Sequence, residues 1–446
     1  MFEGKKVLIL GLARSGYEAA KLLAKRNNDI VLNELKKEQN ESQIRELQDL
    51  GVKLVLGEHP DDLLTKDFDY LIKNPGIRND HKYVLKANEY NIPVINEVEM
   101  AFHLFPEDID IIGITGTNGK TTTTTIIYEI LKRAGKSVHL AGNIGFPVSS
   151  FVGKVKSKDI VVTEVSIQQL CNMKNFKTHI SVFTNLFEAH LDFVGDYENY
   201  SNIKKRIFNH HGKSDYAILN KDNNDLMQLT RDINSTKEYF SSEEKLANGC
   251  HLEGDNIIYF GEKVININDI KIKGKHNYEN VMAAIMVVKK YGIANRIITE
   301  VLSEFKGVEH RIEYVKTING IEIYNDSKST NVKATQIALS SFDKPLVLLL
   351  GGLDRGHSFE ELKDYLKNVK AIIGYGETKN RIKEFAESFG IQVVTCDDLP
   401  SATQTAYELA VSGDVILLSP ACASWDQFAD FEKRGEKFKE YINNLE

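Results

Sequence analysis

Cysteine is scarce in this sequence and is not arranged in pairs. The 446 residues contain only four cysteines, Cys171, Cys250, Cys396 and Cys422, and none belongs to a C-x-x-C motif. This distribution argues against a disulfide-stabilised scaffold and against a cysteine-rich zinc site. It is typical of a protein that works in a reducing cytoplasm.

Long apolar runs and basic clusters are also missing. No segment approaches the ~18–20 apolar residues of a membrane span, and Arg14 interrupts the N-terminal apolar run too early for a signal peptide. The net charge of −7 argues against a dedicated nucleic-acid binder, because phosphate contacts need clustered lysine and arginine. We therefore expect a cytoplasmic protein with neither a membrane nor a nucleic-acid partner.

The most informative motif is Gly113-Ile-Thr-Gly-Thr-Asn-Gly-Lys120-Thr121, which fits G-x-x-x-x-G-K-[ST], the phosphate-binding P-loop. A strand-like segment, 109–113, precedes it and a helical segment, 123–134, follows. Glycines let backbone N–H groups face phosphates, Lys120 adds a full charge, and the Thr121 hydroxyl is placed to ligate Mg²⁺. A chance glycine turn is the alternative, but the order of strand, loop and helix favours binding of a nucleoside triphosphate.

The predicted fold class is α/β with three domains. A chain of 446 residues is too long for one ordinary core, and short apolar runs alternate with helical segments, as in parallel sheets. We assign a Rossmann-like N-terminal domain to 1–98, a central P-loop ATPase-type domain to 99–305 and a Rossmann-like C-terminal domain to 306–446. A polar, weakly patterned stretch, 234–269, is predicted to be a peripheral insertion. Clear strands are predicted at 6–10, 53–56, 180–183, 321–325 and 415–418.

A second glycine turn lies near the N-terminus. Gly11-Leu-Ala-Arg-Ser-Gly16 nearly matches G-x-G-x-x-G, but Ala13 replaces the second glycine. Glu34 follows at the end of the next predicted strand, where a ribose-binding carboxylate belongs. The turn is therefore either a nucleotide-diphosphate site or only a tight strand–helix connection. A redox role with NAD is a third reading, but it does not explain the P-loop.

Three candidate side chains come after the P-loop. Glu164 follows the predicted strand 160–163, where a second Mg²⁺ ligand belongs, although it could instead cap the next helix. His190 follows the strand 180–183 and is either a ligand or structural. The triplet Lys204-Lys205-Arg206 falls on a predicted helix, and such a triplet is usually a solvated face.

Polar loops also follow three predicted strands in the last third of the chain. They are Asp326–Asn331, Gly351–Gly356 and Ser419–Phe428. Because carboxyl ends of parallel strands meet at one sheet edge, where ligands bind in open α/β folds, these loops predict a ligand site.

These elements, with Gly116–Thr122, Gly142–Gly145, His276–Asn280 and His310-Arg311, resemble the Mur ligase family of ATP-dependent amide-forming enzymes over essentially the whole chain. The three late loops resemble members that add D-glutamate to UDP-N-acetylmuramoyl-L-alanine. The resemblance implies a monomeric ligase that releases ADP and phosphate in peptidoglycan synthesis, and so serves cell-wall growth and cell division. The alternatives are a sister ligase with another acceptor and, in another class, a P-loop switch ATPase.

The resemblance also implies roles for individual residues. The catalytic group would be Lys120, Glu164, His190 and Lys204. The ATP-binding residues would be Gly116, Thr117, Asn118, Gly119, Lys120, Thr121, Thr122, Asn277, Asn280, Arg311 and Asp326. The residues that bind the UDP-substrate would be Arg14, Ser15, Asn74, Gly76 and Asn143. The D-glutamate pocket would consist of Lys328, Thr330, Arg355, Ser424 and Phe431. Two Mg²⁺ ions are implied, with Thr121 and Glu164 at one and His190 and a carbamylated Lys204 at the other.

The sequence departs from the family pattern at several positions. After Glu164, Ile167 and Gln168 stand where a hydroxyl and an aromatic are usual, and Ala189 replaces an acid beside His190. The segment Asn33-Glu34-Leu35 lacks a common arginine. Arg355 replaces a common lysine, which keeps the charge but offers a planar fork to a carboxylate. We expect these changes to alter affinity more than the reaction.

Overall fold

The computed structural model describes residues 2–144, 146–188 and 191–445, without the side chains of Asp192 and Lys333. The chain divides into two compact units, Met1–Glu304 and Phe305–Glu446. The first unit contains two sheets and the second contains one. The predicted α/β class is confirmed, while the exact domain boundaries stay predictions.

The first sheet is entirely parallel. Its strands and helices are β1 (Lys6–Leu10), α1 (Arg14–Ala24), β2 (Asp29–Glu34), α2 (Glu41–Asp49), β3 (Lys53–Leu56), β4 (Tyr70–Lys73), α3 (Lys82–Glu89), β5 (Val94–Ile95) and α4 (Glu97–Phe102). The strand order is β3-β2-β1-β4-β5. This order reverses direction beside β1, which puts the first glycine turn at the point where open α/β sheets bind ligands.

The second sheet has nine strands. Its elements are β6 (Asp110–Thr115), α5 (Lys120–Arg133), β7 (Val138–Gly142), β8 (Ile160–Glu164), α6 (Ile167–Leu170), β9 (Ile180–Phe183), α7 (Leu191–Val194), α8 (Tyr197–Lys205), β10 (Tyr216–Asn220), α9 (Asn224–Leu229), β11 (Thr236–Ser241), β12 (Cys250–Glu253), β13 (Asn256–Tyr259), β14 (Glu262–Asn266), α10 (Lys275–Lys290) and α11 (Asn295–Glu304). Its order is β14-β13-β12-β11-β10-β9-β6-β8-β7.

The stretch 234–269 is peripheral, as predicted, because it forms one end of the sheet, but it is part of the sheet and not a separate insertion. This stretch contains β11, β12, β13 and β14, which extend the sheet, the last two in antiparallel pairs. The strands are short and only partly buried. An edge strand exposed on one side keeps many polar residues, which hides the period of a strand from sequence inspection.

The third sheet makes up the core of the second unit. Its elements are β15 (Glu313–Ile318), β16 (Ile321–Asn325), α12 (Val332–Leu339), β17 (Leu346–Gly351), β18 (Val369–Tyr375), α13 (Lys379–Ser388), β19 (Gln392–Thr395), α14 (Leu399–Leu409), β20 (Val415–Leu418) and α15 (Phe431–Asn443). The order is β15-β16-β20-β17-β18-β19, and only the β15–β16 pair is antiparallel. A 3-10 helix, Glu360–Tyr365, lies between β17 and β18.

The central strands of the third sheet are apolar along their whole length because both faces are covered. On β17, Leu346, Leu348 and Leu350 belong to the core on one face, whereas Val347 and Leu349 belong to the core on the other. Alternate side chains of a strand point to opposite faces, so a continuous apolar run is the expected sequence of a doubly covered strand.

Helix α4 joins the first two sheets through buried polar contacts. The Asn96 side chain donates to the carbonyl of Gln169 at 2.5 Å. The Glu99 carboxylate accepts backbone N–H groups of Asn175 and Phe176 at 2.8 and 2.9 Å. Since these groups are buried and satisfied, the joint is a packed element of the first unit and not a free linker.

Candidate functional site

The P-loop backbone requires glycine at two positions. Gly116 has φ 146° and Gly119 has φ 80°, a region that favours glycine. A Cβ atom would lie 2.0 Å from Thr184 Oγ1 at Gly116 and 2.1 Å from Asn280 Oδ1 at Gly119. The loop therefore fits tightly against β9 and α10. The predicted ATP-binding residue Asn280 contacts the loop directly.

Lys120 begins α5 and lies over the loop. Its Nζ donates to the carbonyls of Gly116 at 3.0 Å and Thr117 at 2.8 Å. Asn185 holds the loop from the other side, because its carbonyl accepts the N–H of Thr117 and its Oδ1 accepts the N–H of Asn118, both at 2.9 Å. We did not predict Asn185. Its position directly after β9, next to the P-loop strand, is the only signal for it.

Glu164 is the last residue of β8 and is 2% exposed. Its Oε1 accepts from Asn143 Nδ2 at 2.8 Å, while its Oε2 is buried without a hydrogen-bond donor among the described residues. The capping alternative is wrong, because Ser166 caps α6 in a capping box with Gln169. A buried carboxylate oxygen without a donor is costly unless a cation faces it.

The oxygen atoms of Glu164 and Thr121 suit a Mg²⁺ ion that binds together with a nucleotide. Register pairs Ile114, in the part of the P-loop motif that belongs to β6, with Glu164, and Thr121 is buried at the start of α5. Within 2–144, 146–188 and 191–445, no group of three or more His, Cys, Asp or Glu side chains is arranged to hold a metal ion. A set of one carboxylate and one hydroxyl is what Mg²⁺ needs when phosphates and water supply its other ligands.

Lys204 is not part of a solvated face, so the prediction from the charge triplet is wrong. Its side chain is 1% exposed, its Nζ donates to the carbonyl of Gly116 at 2.7 Å, and it lies 5.1 Å from the centre of the Tyr200 ring. Burial holds the pKa of Lys204 well below its usual range, and the nearby Lys120 lowers it further, although Glu164 opposes the shift.

The two other members of the triplet behave as predicted for surface charges. Lys205 forms an ion pair with Asp232 at 2.5 Å, and Arg206 donates to the carbonyl of Cys171 at 3.2 Å. The sequence feature that distinguishes Lys204 as a buried residue is its spacing from Tyr200 and Ile207. Both are also buried and lie on the same helical face.

His190 and Ala189 lie outside the described residues, as does Gly145 of the glycine turn after β7. The second predicted metal site therefore stays a prediction. Asn143 of the same turn is described, and its N–H also donates to the carbonyl of Glu164 at 3.0 Å.

The N-terminal glycine turn brings several predicted UDP-substrate residues together. The Asn74 side chain donates to Ser15 Oγ at 3.2 Å and accepts the N–H of Gly76 at 3.1 Å, and Arg14 begins α1 beside them. The Glu34 carboxylate accepts hydrogen bonds from the backbone N–H groups of Leu12 and Lys36, at 2.9 and 3.0 Å. Its carboxylate thus stabilises the turn itself.

Asp326 of the predicted ATP group lies in the interior of the second unit. Its carboxylate accepts from Ser419 Oγ at 2.7 Å and from the N–H of Ile312 at 3.2 Å. Burial raises the pKa of Asp326 to about 6, while hydrogen bonds from Ser329 and Ser419 oppose the shift. Arg311 lies next to Ile312, and Asn277 lies at the start of α10 in the first unit.

The predicted D-glutamate residues share the carboxyl edge of the third sheet. Lys328 and Thr330 follow β16, Ser424 follows β20, Arg355 follows β17, and Phe431 begins α15. These three strands are neighbours in the sheet. The Arg355 guanidinium lies 4.7 Å from the Trp425 ring centre, and Lys328 Nζ lies 5.8 Å from that of Phe431. Two cations and one buried hydroxyl therefore follow neighbouring strands at the same edge of the sheet.

The fold and the P-loop define a nucleoside-triphosphate-binding α/β protein. Residues 114–288 match the model of the Mur ligase middle domain, and residues 310–422 match that of the Mur ligase, glutamate ligase domain. The chain belongs to the Mur ligase family, whose members are ATP-dependent ligases.

Full-length relatives give the same assignment. The chain is 44% identical over 446 residues, all of this chain and 98% of the relative, to the UDP-N-acetylmuramoylalanine–D-glutamate ligase of Geobacillus sp. (strain WCH70). It has the same identity and coverage with the enzyme of that name from Bacillus mycoides (strain KBAB4).

Solved structures of Mur ligases share the fold. The UDP-N-acetylmuramate-alanine ligase of Thermotoga maritima aligns with a TM-score of 0.61 at 20% identity, covering 99% of this chain and 100% of that one. The MurF ligase of Thermotoga maritima in complex with ADP aligns with a TM-score of 0.58 at 18% identity, covering 95% and 97%. Among the described residues, no helix combines the length and the apolar character needed to cross a membrane.

Proposed function

We propose that this chain is the ATP-dependent ligase that joins D-glutamate to UDP-N-acetylmuramoyl-L-alanine. The observation that carries the proposal is 44% identity, over the whole chain, to ligases of that name. The complete P-loop and the cationic loops on the third sheet support it. The monomeric state and the part in peptidoglycan precursor synthesis that serves cell division rest on the family resemblance. The cytoplasmic location rests on the cysteine pattern and the apolar runs of the sequence.

The carboxylate must be activated before an amide can form, because direct attack by an amine would have to expel an oxide ion, which is a poor leaving group. The alanyl carboxylate attacks the γ-phosphorus of ATP, the bond to the bridging oxygen breaks, and ADP leaves. The product is an acyl phosphate. The neutral amine of D-glutamate then attacks the carbonyl carbon, phosphate leaves, and the amine gives up a proton. The sum is one amide, ADP and phosphate, and the enzyme mainly positions and neutralises anions.

The P-loop and its surroundings supply that neutralisation. Lys120 and the backbone of 116–122 bind the phosphates of ATP. Thr121 and Glu164 would hold a magnesium ion, which when bound offsets the charge between phosphate groups. Asn143 orients Glu164 through their 2.8 Å hydrogen bond.

Lys204 is proposed to carry a carbamate. Lys120 and Lys204 both donate to the carbonyl of Gly116, at 3.0 and 2.7 Å, so two ammonium groups would repel one another there. The low pKa of Lys204 favours the neutral amine, which is the form that attacks carbon dioxide. A carbamate would replace a repelled cation by an anion that can bind a metal together with His190.

The acceptor pocket is assigned to the carboxyl edge of the third sheet. Arg355 and Lys328 would offset the D-glutamate carboxylates, and Ser424, Thr330 and the Phe431 backbone would donate hydrogen bonds. The UDP portion of the other substrate is assigned to Arg14, Ser15, Asn74 and Gly76 at the first glycine turn, together with Asn143.

The decisive experiment measures phosphate release from ATP with Mg²⁺ and UDP-N-acetylmuramoyl-L-alanine. D-glutamate, L-glutamate, L-lysine and no amino acid are compared, and the amide product is identified by mass spectrometry. We expect release only with D-glutamate. Release with another acceptor would identify a sister ligase, and release that needs no acceptor would identify a switch ATPase.

A further inference from the structure

The largest fully buried side chain in the described part of the molecule is an arginine. Arg434 lies in the first turn of α15 and is 0% exposed. Its Nε donates to Ser327 Oγ at 3.0 Å, and its Nη2 donates to the carbonyls of Ser327 at 2.9 Å and Cys422 at 3.0 Å. One guanidinium therefore joins the loops that follow β16 and β20.

The same group reaches the ends of two further strands. Gly352, just after β17, lies so close that a Cβ atom there would be 3.2 Å from Arg434 Nη1. The charge of Arg434 also acts on Tyr375, the last residue of β18, where it opposes the effect by which burial raises the pKa of the tyrosine. Four neighbouring strands thus end around a single cation.

This buried cation has no anionic partner. Within the described part of the chain, Arg434 forms no ion pair with a carboxylate, and its Nη1 has no hydrogen-bond acceptor. Asp426 is the carboxylate on which its charge acts, but that group is only half-buried and accepts from the N–H of Glu377 at 3.4 Å. A buried guanidinium that lacks a counter-charge is costly for the fold, which favours a role in binding an anion.

The contacts of Arg434 lead directly to the proposed acceptor pocket. Ser327 precedes Lys328, and its Oγ donates to the carbonyl of Phe431 at 2.8 Å. Cys422 lies two residues before Ser424. Every loop that Arg434 holds therefore carries a residue assigned to the amino acid, while Arg434 itself lies beneath them.

We propose that Arg434 is a positioning residue for the amino-acid acceptor. It fixes the loops after β16 and β20 in one arrangement, and its positive charge offsets the α-carboxylate that binds above them. This inference rests on the proposed function, because it takes the carboxyl edge of the third sheet as the acceptor site.

The test compares full-length Arg434→Lys and Arg434→Met enzymes with the wild type. Apparent KM values are measured for the acceptor, for ATP and for the UDP-substrate, together with kcat and the midpoint of thermal unfolding. We expect Arg434→Met to raise the acceptor KM by about 30-fold or more, since an unpaired carboxylate is costly. The KM values for ATP and the UDP-substrate should stay within about twofold. Arg434→Lys keeps the charge but loses the planar fork, so its acceptor KM should lie between those of the wild type and Arg434→Met.

Lys433→Met is the matched control, because Lys433 is the adjacent, exposed residue of α15 and pairs only with Glu436 at the surface. It should leave all three KM values unchanged. If Arg434→Met does not fold, Arg434→Lys and Ser327→Ala are tested instead. Their acceptor KM is compared with their KM values for ATP and the UDP-substrate in the same way. An acceptor KM within about threefold of the wild type, or equal changes in all three KM values, would overturn the proposal.

Failure of the proposed function would be visible separately. If the wild-type enzyme uses another amino acid, the D-glutamate assignment is wrong, but the Arg434 test is run with that amino acid, which also carries an α-carboxylate. If the wild type needs no acceptor at all, both proposals fail.

Discussion

Lys204 and Lys205 are adjacent residues with opposite environments. Lys204 is enclosed under the P-loop, whereas Lys205 is paired with Asp232 at the surface. Sequence composition treats them alike, because both are lysines in one basic triplet. The helical period separates them, since only Lys204 follows Tyr200 and Ile203 on the apolar side of α8.

This contrast gives a matched pair of variants. Lys204→Ala should lower kcat by about a hundredfold or more, because removing a group that orders the reacting anions is expensive. A short carboxylic acid such as acetate, which can occupy the place of the carbamate, should restore part of the activity. Lys205→Ala is the control and should be close to wild type. Near-normal phosphate release by Lys204→Ala would remove Lys204 from the site.

Glu164 gives a second prediction for a single residue. Glu164→Gln keeps the shape and the oxygen that accepts from Asn143, but it removes the charge from the oxygen that has no donor. We expect the Mg²⁺ concentration for half-maximal activity to rise by about tenfold or more. Glu107→Gln, in the exposed loop before β6, removes the same charge and should not change the Mg²⁺ requirement. An equal Mg²⁺ requirement in the wild type and Glu164→Gln would place the ion elsewhere.

Among the elements, α4 combines a structural joint with a group that titrates near neutral pH. Glu97 is buried, and its carboxylate accepts the N–H of Ser149 in the 3-10 helix Val148–Phe151. Burial raises the pKa of Glu97 to about 7, although the bond from Ser149 opposes the shift. The folded protein therefore favours the protonated form more than the unfolded chain does.

A pH dependence of stability follows from this shift. Glu97 makes its full contribution to the free energy of unfolding below the unfolded pKa of about 4.3. That contribution, up to about 3 kcal/mol, is lost as the pH rises through about 7. Glu97→Gln cannot ionise, so its stability relative to the wild type should increase between pH 5 and pH 8. Unfolding midpoints over this range measure the effect, with Glu89→Gln on α3 as an exposed control. A constant difference between wild type and Glu97→Gln across the range would contradict the prediction.

The elements also define how far sequence reasoning reaches. Strands such as β1, β9 and β20 are mainly apolar and almost fully buried, because both faces of their sheets are covered, and their bounds agree with the predicted ones. The strands of 234–269 were missed since they are short and half-exposed. The 3-10 helix Glu360–Tyr365 is wound more tightly than an α-helix, a difference that composition does not encode.

The candidate site could be predicted where backbone chemistry dictates the residue, as at the P-loop glycines. It could not be predicted where the role depends on neighbours from distant parts of the chain. Asn185 contacts the backbone of 117–118, and Arg434 contacts Ser327, about a hundred residues earlier in the chain. No local pattern records such contacts, and only the fold reveals them.

For the whole molecule, the two compact units each contain one fully buried cysteine. Cys250 lies in the first unit and Cys422 in the second, both at 0% exposure. Burial raises the pKa of both thiols, that of Cys422 to about 11. Neither thiol should react with an alkylating agent until its own unit unfolds.

Thiol labelling across a urea series should therefore follow the two units separately. We expect Cys250 and Cys422 to become reactive at different urea concentrations, while Cys171 and Cys396, which are partly exposed, react earlier. Mass spectrometry of the alkylated peptides measures each site. If both buried cysteines became reactive at one common midpoint, the two units would unfold as a single cooperative body.

Within the described part of the chain, each of the three sheets is built from one continuous stretch, and none takes a strand from a later stretch. A ribosome releases the chain from its N-terminal end, and domains fold as units during synthesis. The sheet with the P-loop can therefore form before the residues of the acceptor pocket have emerged from the ribosome. The order in which the molecule is made is thus also the order in which its binding surfaces become available.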